Sequence, residues 1–215
     1  VVGEQARKVF ADAQAMLKKI IEGRWLTAHA VIGLYPANRV NADDIALYAD
    51  ESRQQPVLTW HGLRQQTEKQ EIDGVMRPSR CLADFVAPAG TADYVGVFAV
   101  TAGIGAEKKE AQFLAAHDDY SAILFKALAD RLAEAMAECM HHRVRTDLWG
   151  YAAGEQLSNE ELIKEKYQGI RPAPGYPACP DHSVKRAMFA LLQADEIGMG
   201  PVSYTHLTLP TSDLV

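Results

Sequence analysis

Tyr94-Val-Gly-Val-Phe-Ala-Val-Thr101 is the most strand-like stretch of the sequence. Its β-branched and aromatic residues alternate with small ones, a pattern that suits a pleated sheet. Gly103-Ile-Gly105 follows, and beyond it the apolar period lengthens to that of a helix. Upstream, four further segments read as strands: 28–35, stopped by Pro36, then 44–48, 57–60 and 81–86, the last ending before Pro88. Residues 61–70 are polar and suit either a short helix or an exposed loop. Most connections are too short for crossover helices, so the sheet is expected to be antiparallel or mixed. One helix precedes the strands, over 1–22, with Val9, Phe10, Ala13, Met16, Leu17, Ile20 and Ile21 as its apolar stripe and Gly23 as its stop. Strands followed by helices make the fold class α+β.

Past Gly105 the spacing predicts a helix over 108–116 and a long one over about 120–144, which Asp118 or Asp119 can cap. Its expected core stripe is Leu124, Leu128, Leu132, Ala135, Met136 and Cys139. Asp130, Glu134 and Glu138 step along one face, and like charges four apart disfavour a helix slightly. Either this face is solvated, with Lys126 and Arg131 nearby, or a carboxylate on it meets a cationic ligand or a partner's histidine. Ser158-Asn-Glu-Glu161 is a capping box for a short helix over 160–167. Asp181 is expected to cap another over 182–193.

Composition excludes several functions. Of 215 residues, 23% are charged and the net charge is −6 with no long basic run, so nucleic acid or an anionic membrane has no footprint. No apolar run reaches the roughly 20 residues of a membrane span, and no signal-peptide pattern opens the chain. Cys81, Cys139 and Cys179 form no paired motif and read as reduced cytosolic thiols. Gly-rich nucleotide loops, zinc-protease and nucleophile-elbow motifs are missing. His141 and His142 point about 100° apart on a helix, so a shared metal is not expected. His117, beside Asp118 and Asp119, suits a capping and surface role better than that of a general base.

The remaining feature is Arg171-Pro-Ala-Pro-Gly-Tyr-Pro-Ala-Cys-Pro-Asp-His182. Proline fixes φ and constrains the residue before it, so this is a stiff, extended loop with one free point at Gly175. It is either a rigid connector between helices or a fixed frame for a small molecule, presenting Arg171, Tyr176 and the backbone of Ala173 and Gly175. On these grounds the chain is a ligand-binding α+β domain with no catalytic residues and no metal site.

Six blocks carry a resemblance: Leu63-Arg-Gln-Gln-Thr-Glu-Lys69, Cys81-Leu-Ala-Asp-Phe-Val-Ala-Pro88, His117-Asp-Asp-Tyr120, Lys126-Ala-Leu-Ala-Asp-Arg-Leu-Ala-Glu-Ala135, Leu157-Ser-Asn-Glu-Glu-Leu162 and Tyr167-Gln-Gly-Ile-Arg-Pro-Ala-Pro-Gly-Tyr-Pro-Ala-Cys-Pro180. In order and spacing they resemble the C-terminal activation domain of cobalamin-dependent methionine synthase. The resemblance implies a C-shaped α+β domain with a twisted antiparallel sheet flanked by helices. It implies binding of S-adenosylmethionine and a part in methionine biosynthesis, supporting reductive methylation of cob(II)alamin within a cytoplasmic methyltransferase. The electron would come from flavodoxin or a flavoprotein reductase, while cobalamin and zinc would belong to other domains of the parent enzyme.

Residue by residue, the resemblance gives Arg171 the ligand's carboxylate, Ala173 and Gly175 the adenine edge, and Tyr176 the adenosine face. Glu134 would approach the amino or sulfonium group. Asp130 would face the cobalamin-binding domain of the same parent chain and receive its displaced histidine. The family's pattern continues past both ends, with a ligand aspartate before Val1 and a ligand tyrosine after about Pro201. The chain therefore reads as the domain truncated at both ends, 1–202, followed by an atypical tail, 203–215, and its fragment as non-catalytic. The rival readings are a stand-alone S-adenosylmethionine-dependent methyltransferase, disfavoured by the missing Gly-rich loop, and a non-catalytic interaction domain.

Overall fold

The structure is a computed structural model, and it describes residues 2–69, 71–72 and 74–200. In chain order the elements are α1 (Val2–Gly23), β1 (Thr27–Arg39), β2 (Asp44–Tyr48), β3 (Pro56–His61), β4 (Glu71–Ile72), β5 (Val75–Met76), β6 (Asp93–Ile104), α2 (Ala106–Ala115), α3 (Asp119–Arg143), α4 (Asn159–Ile163) and α5 (Lys185–Leu191). A single 3-10 turn covers Leu82–Phe85, a π-helical turn Val144–Leu148 and a second 3-10 turn Ala194–Ile197. Four strands form an open antiparallel sheet in the order β3-β2-β1-β6, and β4 and β5 form a separate two-residue hairpin. The fold is α+β, as expected. The expected tail over 203–215 lies outside the described residues.

The chain divides into two compact units, Val1–Val31 with Phe98–Ile170, and Ile32–Val97 with Arg171–Val215. The first is organised around Met16, Ile20 and Phe125, with Trp25, Phe113, Leu124, Leu128 and Leu132 packed on them. Trp25 meets Phe113 and Phe125 edge-on at 6.1 and 6.3 Å between ring centroids, a favoured aromatic geometry. Gly105 makes the entry to α2 possible: its φ is +95°, and a Cβ there would stand 3.0 Å from the Trp25 carbonyl oxygen. Asp118 caps α3 by accepting from the Ser121 amide. Ala122, Phe125, Ala129 and Met140 are the buried apolar residues of α3. Of the expected stripe, Leu124, Leu128 and Leu132 do pack on the Met16–Ile20–Phe125 cluster, half-buried, whereas Ala135 and Cys139 are exposed.

The second unit is fixed by two polar hubs. Asn38 is buried in β1 and donates through Nδ2 to the carbonyls of Ala87, Pro88 and Thr91 at 3.2, 3.1 and 2.7 Å. Its Oδ1 accepts from Arg53 at 2.9 Å, and Arg53 also donates to the carbonyls of Ala37 and Asp93. Arg64 reaches Asp43 at 2.9 Å and grips both oxygens of Asp84 at 2.6 and 3.0 Å.

Asp84 also accepts from the Cys81 amide, which closes residues 82–85 into a 3-10 turn instead of the expected strand. A second correction concerns Pro36, which does not stop β1. It lies one residue before the β1–β2 register opens at Ala37↔Leu47, where no amide is asked of it by β2. His61 ends β3, and residues 62–69 past it are loop.

Candidate functional site

The proline segment is a knotted loop with neither helix nor strand. Tyr176 N–H donates to the Ala173 carbonyl at 3.0 Å, Gly175 N–H to the Cys179 carbonyl at 2.8 Å, and Cys179 N–H to the Tyr176 carbonyl at 2.8 Å. Two of the backbone groups offered to a ligand are thereby used internally: the Ala173 carbonyl and the Gly175 amide. The Ala173 N–H and the Gly175 carbonyl take no part in these bonds.

Tyr176, next to the left-handed Gly175, is 64% exposed. Arg171 is half-buried where the chain enters the second unit. Asp181 caps no helix; its carboxylate accepts from the Ser183 amide at 2.7 Å and from the Ser183 hydroxyl, and these bonds hold it below the usual carboxylate range. Helix α5 begins four residues later, at Lys185. Burial pushes the Cys179 thiol up to about 11, so at neutral pH it is a packed thiol and no nucleophile.

Asp130 and Glu134 stand on α3 in the first unit, both exposed. Arg131 donates to Glu134 at 2.8 Å, three residues apart on the same helix. Lys126 is not a partner of the acidic face; it pairs with Glu110 of α2 at 3.2 Å.

Sequence reasoning passed over a polar knot in the first unit. Arg145 is wholly buried on the π-helical turn. It forks onto Glu155 through Nε and Nη2 at 2.9 and 2.5 Å, meets Nδ1 of His141 at 2.7 Å through Nη1, and lies 4.4 Å from the Tyr167 ring centroid. Burial opposes the Arg145 charge, but Glu155 outweighs it and raises the pKa; the same pairing holds Glu155 below the usual carboxylate range. The i→i+5 bond from Trp149 N–H to the Val144 carbonyl at 2.9 Å makes the widened turn that seats Arg145. An arginine in a helix-terminal run carries no sequence mark of such burial, and only its spacing from Glu155 hints at it. Among the described residues no cluster of His, Cys, Asp and Glu is arranged for a metal, and no helix is long and apolar enough to cross a membrane.

The sequence matches the family of the vitamin B12 dependent methionine synthase activation domain over residues 1–212, and the chain belongs to that family. Among solved structures it is similar to the MetH reactivation domain, crystallised bound to AdoHcy, at 54% identity and a TM-score of 0.80. The match covers 90% of this chain and 58% of that one, so the chain spans well under two thirds of its neighbour's length.

Proposed function

We propose that this chain is the S-adenosylmethionine-binding part of a cobalamin-dependent methionine synthase, serving reactivation of the cobalamin. The observation that carries the reading is its likeness, over nine-tenths of its length, to a reactivation domain holding AdoHcy. Residues 1–202 carry the role. Cobalamin, held by another domain of the parent, would supply the methyl acceptor: cob(II)alamin, given one electron by the reductase, would take the ligand's methyl group and leave S-adenosylhomocysteine.

The chain's own residues bind and orient. Arg171 offers a planar fork that fits a carboxylate. The Ala173 N–H and Gly175 carbonyl, outside the loop's internal bonds, suit the edge of adenine. Tyr176 lays an exposed ring beside them for the adenosine. Glu134 supplies negative charge for the amino or sulfonium group, and Asp130 faces the cobalamin-binding domain of the parent chain and takes its displaced histidine. The fragment positions and does not turn over; the parent is a cytoplasmic methyltransferase, with flavodoxin or a flavoprotein reductase as electron donor.

Titration calorimetry of the 215-residue chain with S-adenosylmethionine and S-adenosylhomocysteine tests this. Saturable binding of both is expected. An absence of heat at millimolar ligand would sink the reading.

A further inference from the structure

We propose that His182 is the positioning residue of the proline loop: its imidazole occupies the space above the Gly175 Cα and holds the Tyr176 turn in the shape that receives the nucleoside, an inference that rests on the ligand reading above. A Cβ built on Gly175 would stand 2.3, 2.8 and 3.2 Å from Cε1, Nε2 and Nδ1 of His182. Real Cβ atoms do not approach that closely, so no side chain at 175 coexists with the ring in this place. Gly175 is also at φ +109°, a region that L side chains rarely adopt. Glycine is thus favoured by its own backbone torsion, and any side chain at 175 would also displace the ring seven positions away.

The ring is kept near Gly175 by the loop's own closure: the Gly175 N–H bond to the Cys179 carbonyl sets the segment leading to His182 beside residue 175. Asp181 accepts from both the amide and the hydroxyl of Ser183, so residue 182 lies within a local hydrogen-bonded turn. Between the two, the Gly175–Cys179 and Cys179–Tyr176 backbone bonds close the loop, and Cys179 is buried. His182 therefore clasps the open end of a small backbone knot. Tyr176 follows Gly175 directly, so the direction of its exposed ring, and that of the Gly175 carbonyl, depend on the Gly175 torsions that the imidazole holds. A seat fixed before the ligand arrives loses less entropy on binding.

Backbone amide exchange of the isotope-labelled 215-residue chain, read beside calorimetric affinity for S-adenosylhomocysteine, decides this. His182→Ala is expected to speed exchange at Gly175 and Cys179, with α3 amides unchanged, and to weaken ligand binding on the order of ten-fold. His182→Phe, which keeps a flat ring, restores most of both. Gly175→Ala is worse than His182→Ala, and adding His182→Ala to Gly175→Ala recovers part of the loss, an improvement that simple misfolding does not produce. The proposal is overturned if His182→Ala leaves Gly175 and Cys179 exchange at the wild-type rate, or if the double variant is no better than Gly175→Ala. Should the wild-type chain bind no ligand, the ligand reading fails, and the exchange data alone still decide whether His182 clasps the loop.

Discussion

The Arg145 knot and the proline loop are built on opposite plans. Arg145 is 0% exposed, and its guanidinium meets the side chains of Glu155, His141 and the Tyr167 face. The loop is held by backbone bonds among Ala173, Gly175, Tyr176 and Cys179, while its largest side chain, Tyr176, stands mostly in solvent. A knot that uses its charged groups on each other has none left to offer a ligand. A loop that closes through a few of its own backbone bonds keeps its side chains, and the Ala173 N–H and Gly175 carbonyl, outside that closure. The contrast sets a region built for stability against the region proposed for recognition, though both hold the residue types that mark active sites.

Breaking the knot tests the first half of the contrast and gives the largest effect. Glu155→Ala leaves a buried guanidinium unpaired and is expected to cost about 3–5 kcal/mol in urea unfolding. Replacing both partners together, Arg145→Met with Glu155→Leu, costs much less, since no charge is stranded. The pH dependence has a fixed sign. Glu155 has a folded pKa below its ordinary value, because Arg145 bonds its charged form. Its contribution is therefore full above the ordinary carboxylate value and is lost as pH falls through the lower folded one. Wild-type stability falls on that acid limb, and the limb is shallower in Glu155→Gln.

Legibility in the sequence follows the same division. The strands at 44–48 and 94–101, the Asp118 cap and the Ser158–Glu161 capping box were readable because each is a local pattern, complete within a few residues. The misread elements are those decided at a distance. Residues 81–86 look like a strand by hydrophobicity, yet Arg64, some twenty residues upstream, fixes the Asp84 carboxylate that closes them into a turn. The depth of burial along α3 was set by Trp25 and Phe113, which pack on Phe125 and make it the most buried residue beside the predicted leucines, while Ala135 and Cys139, expected inside, are exposed. Burial of Arg145 required a π-helical turn that no period announces. At the candidate site the loop's rigidity was legible from its prolines. The internal use of the Ala173 carbonyl and the Gly175 amide was not, because it depends on how the loop folds back on Cys179.

The second half of the contrast is tested at Arg171. Arg171→Ala is expected to weaken S-adenosylhomocysteine binding by about 1.5–3 kcal/mol, the range for a hydrogen bond to a charged group. Arg171→Lys recovers only part, because an ammonium lacks the planar fork. Calorimetric affinity for the two variants checks both statements. An Arg171→Ala chain that binds as tightly as wild type would place the carboxylate elsewhere. Tyr176→Ala is expected to act next in size, by up to about 1.5 kcal/mol beyond lost area, and Tyr176→Phe to change little if the ring face is what binds.

The smallest expected effect is the most discriminating. Glu134 is exposed and already paired with Arg131 across one turn, so Glu134→Gln should scarcely move the melting temperature. Near solvent, a unit charge 4 Å away is worth about 1 kcal/mol in a water-like dielectric, so the affinity change is only several-fold and shrinks with added salt. The two ligands separate its possible partners. S-adenosylmethionine carries a sulfonium charge that S-adenosylhomocysteine lacks, whereas both carry the amino group. If Glu134 faces the sulfonium, Glu134→Gln weakens the first ligand and spares the second. Equal loss for both puts the carboxylate at the amino group. No loss for either leaves Glu134 as a solvated residue of α3, and recognition then rests on the loop alone.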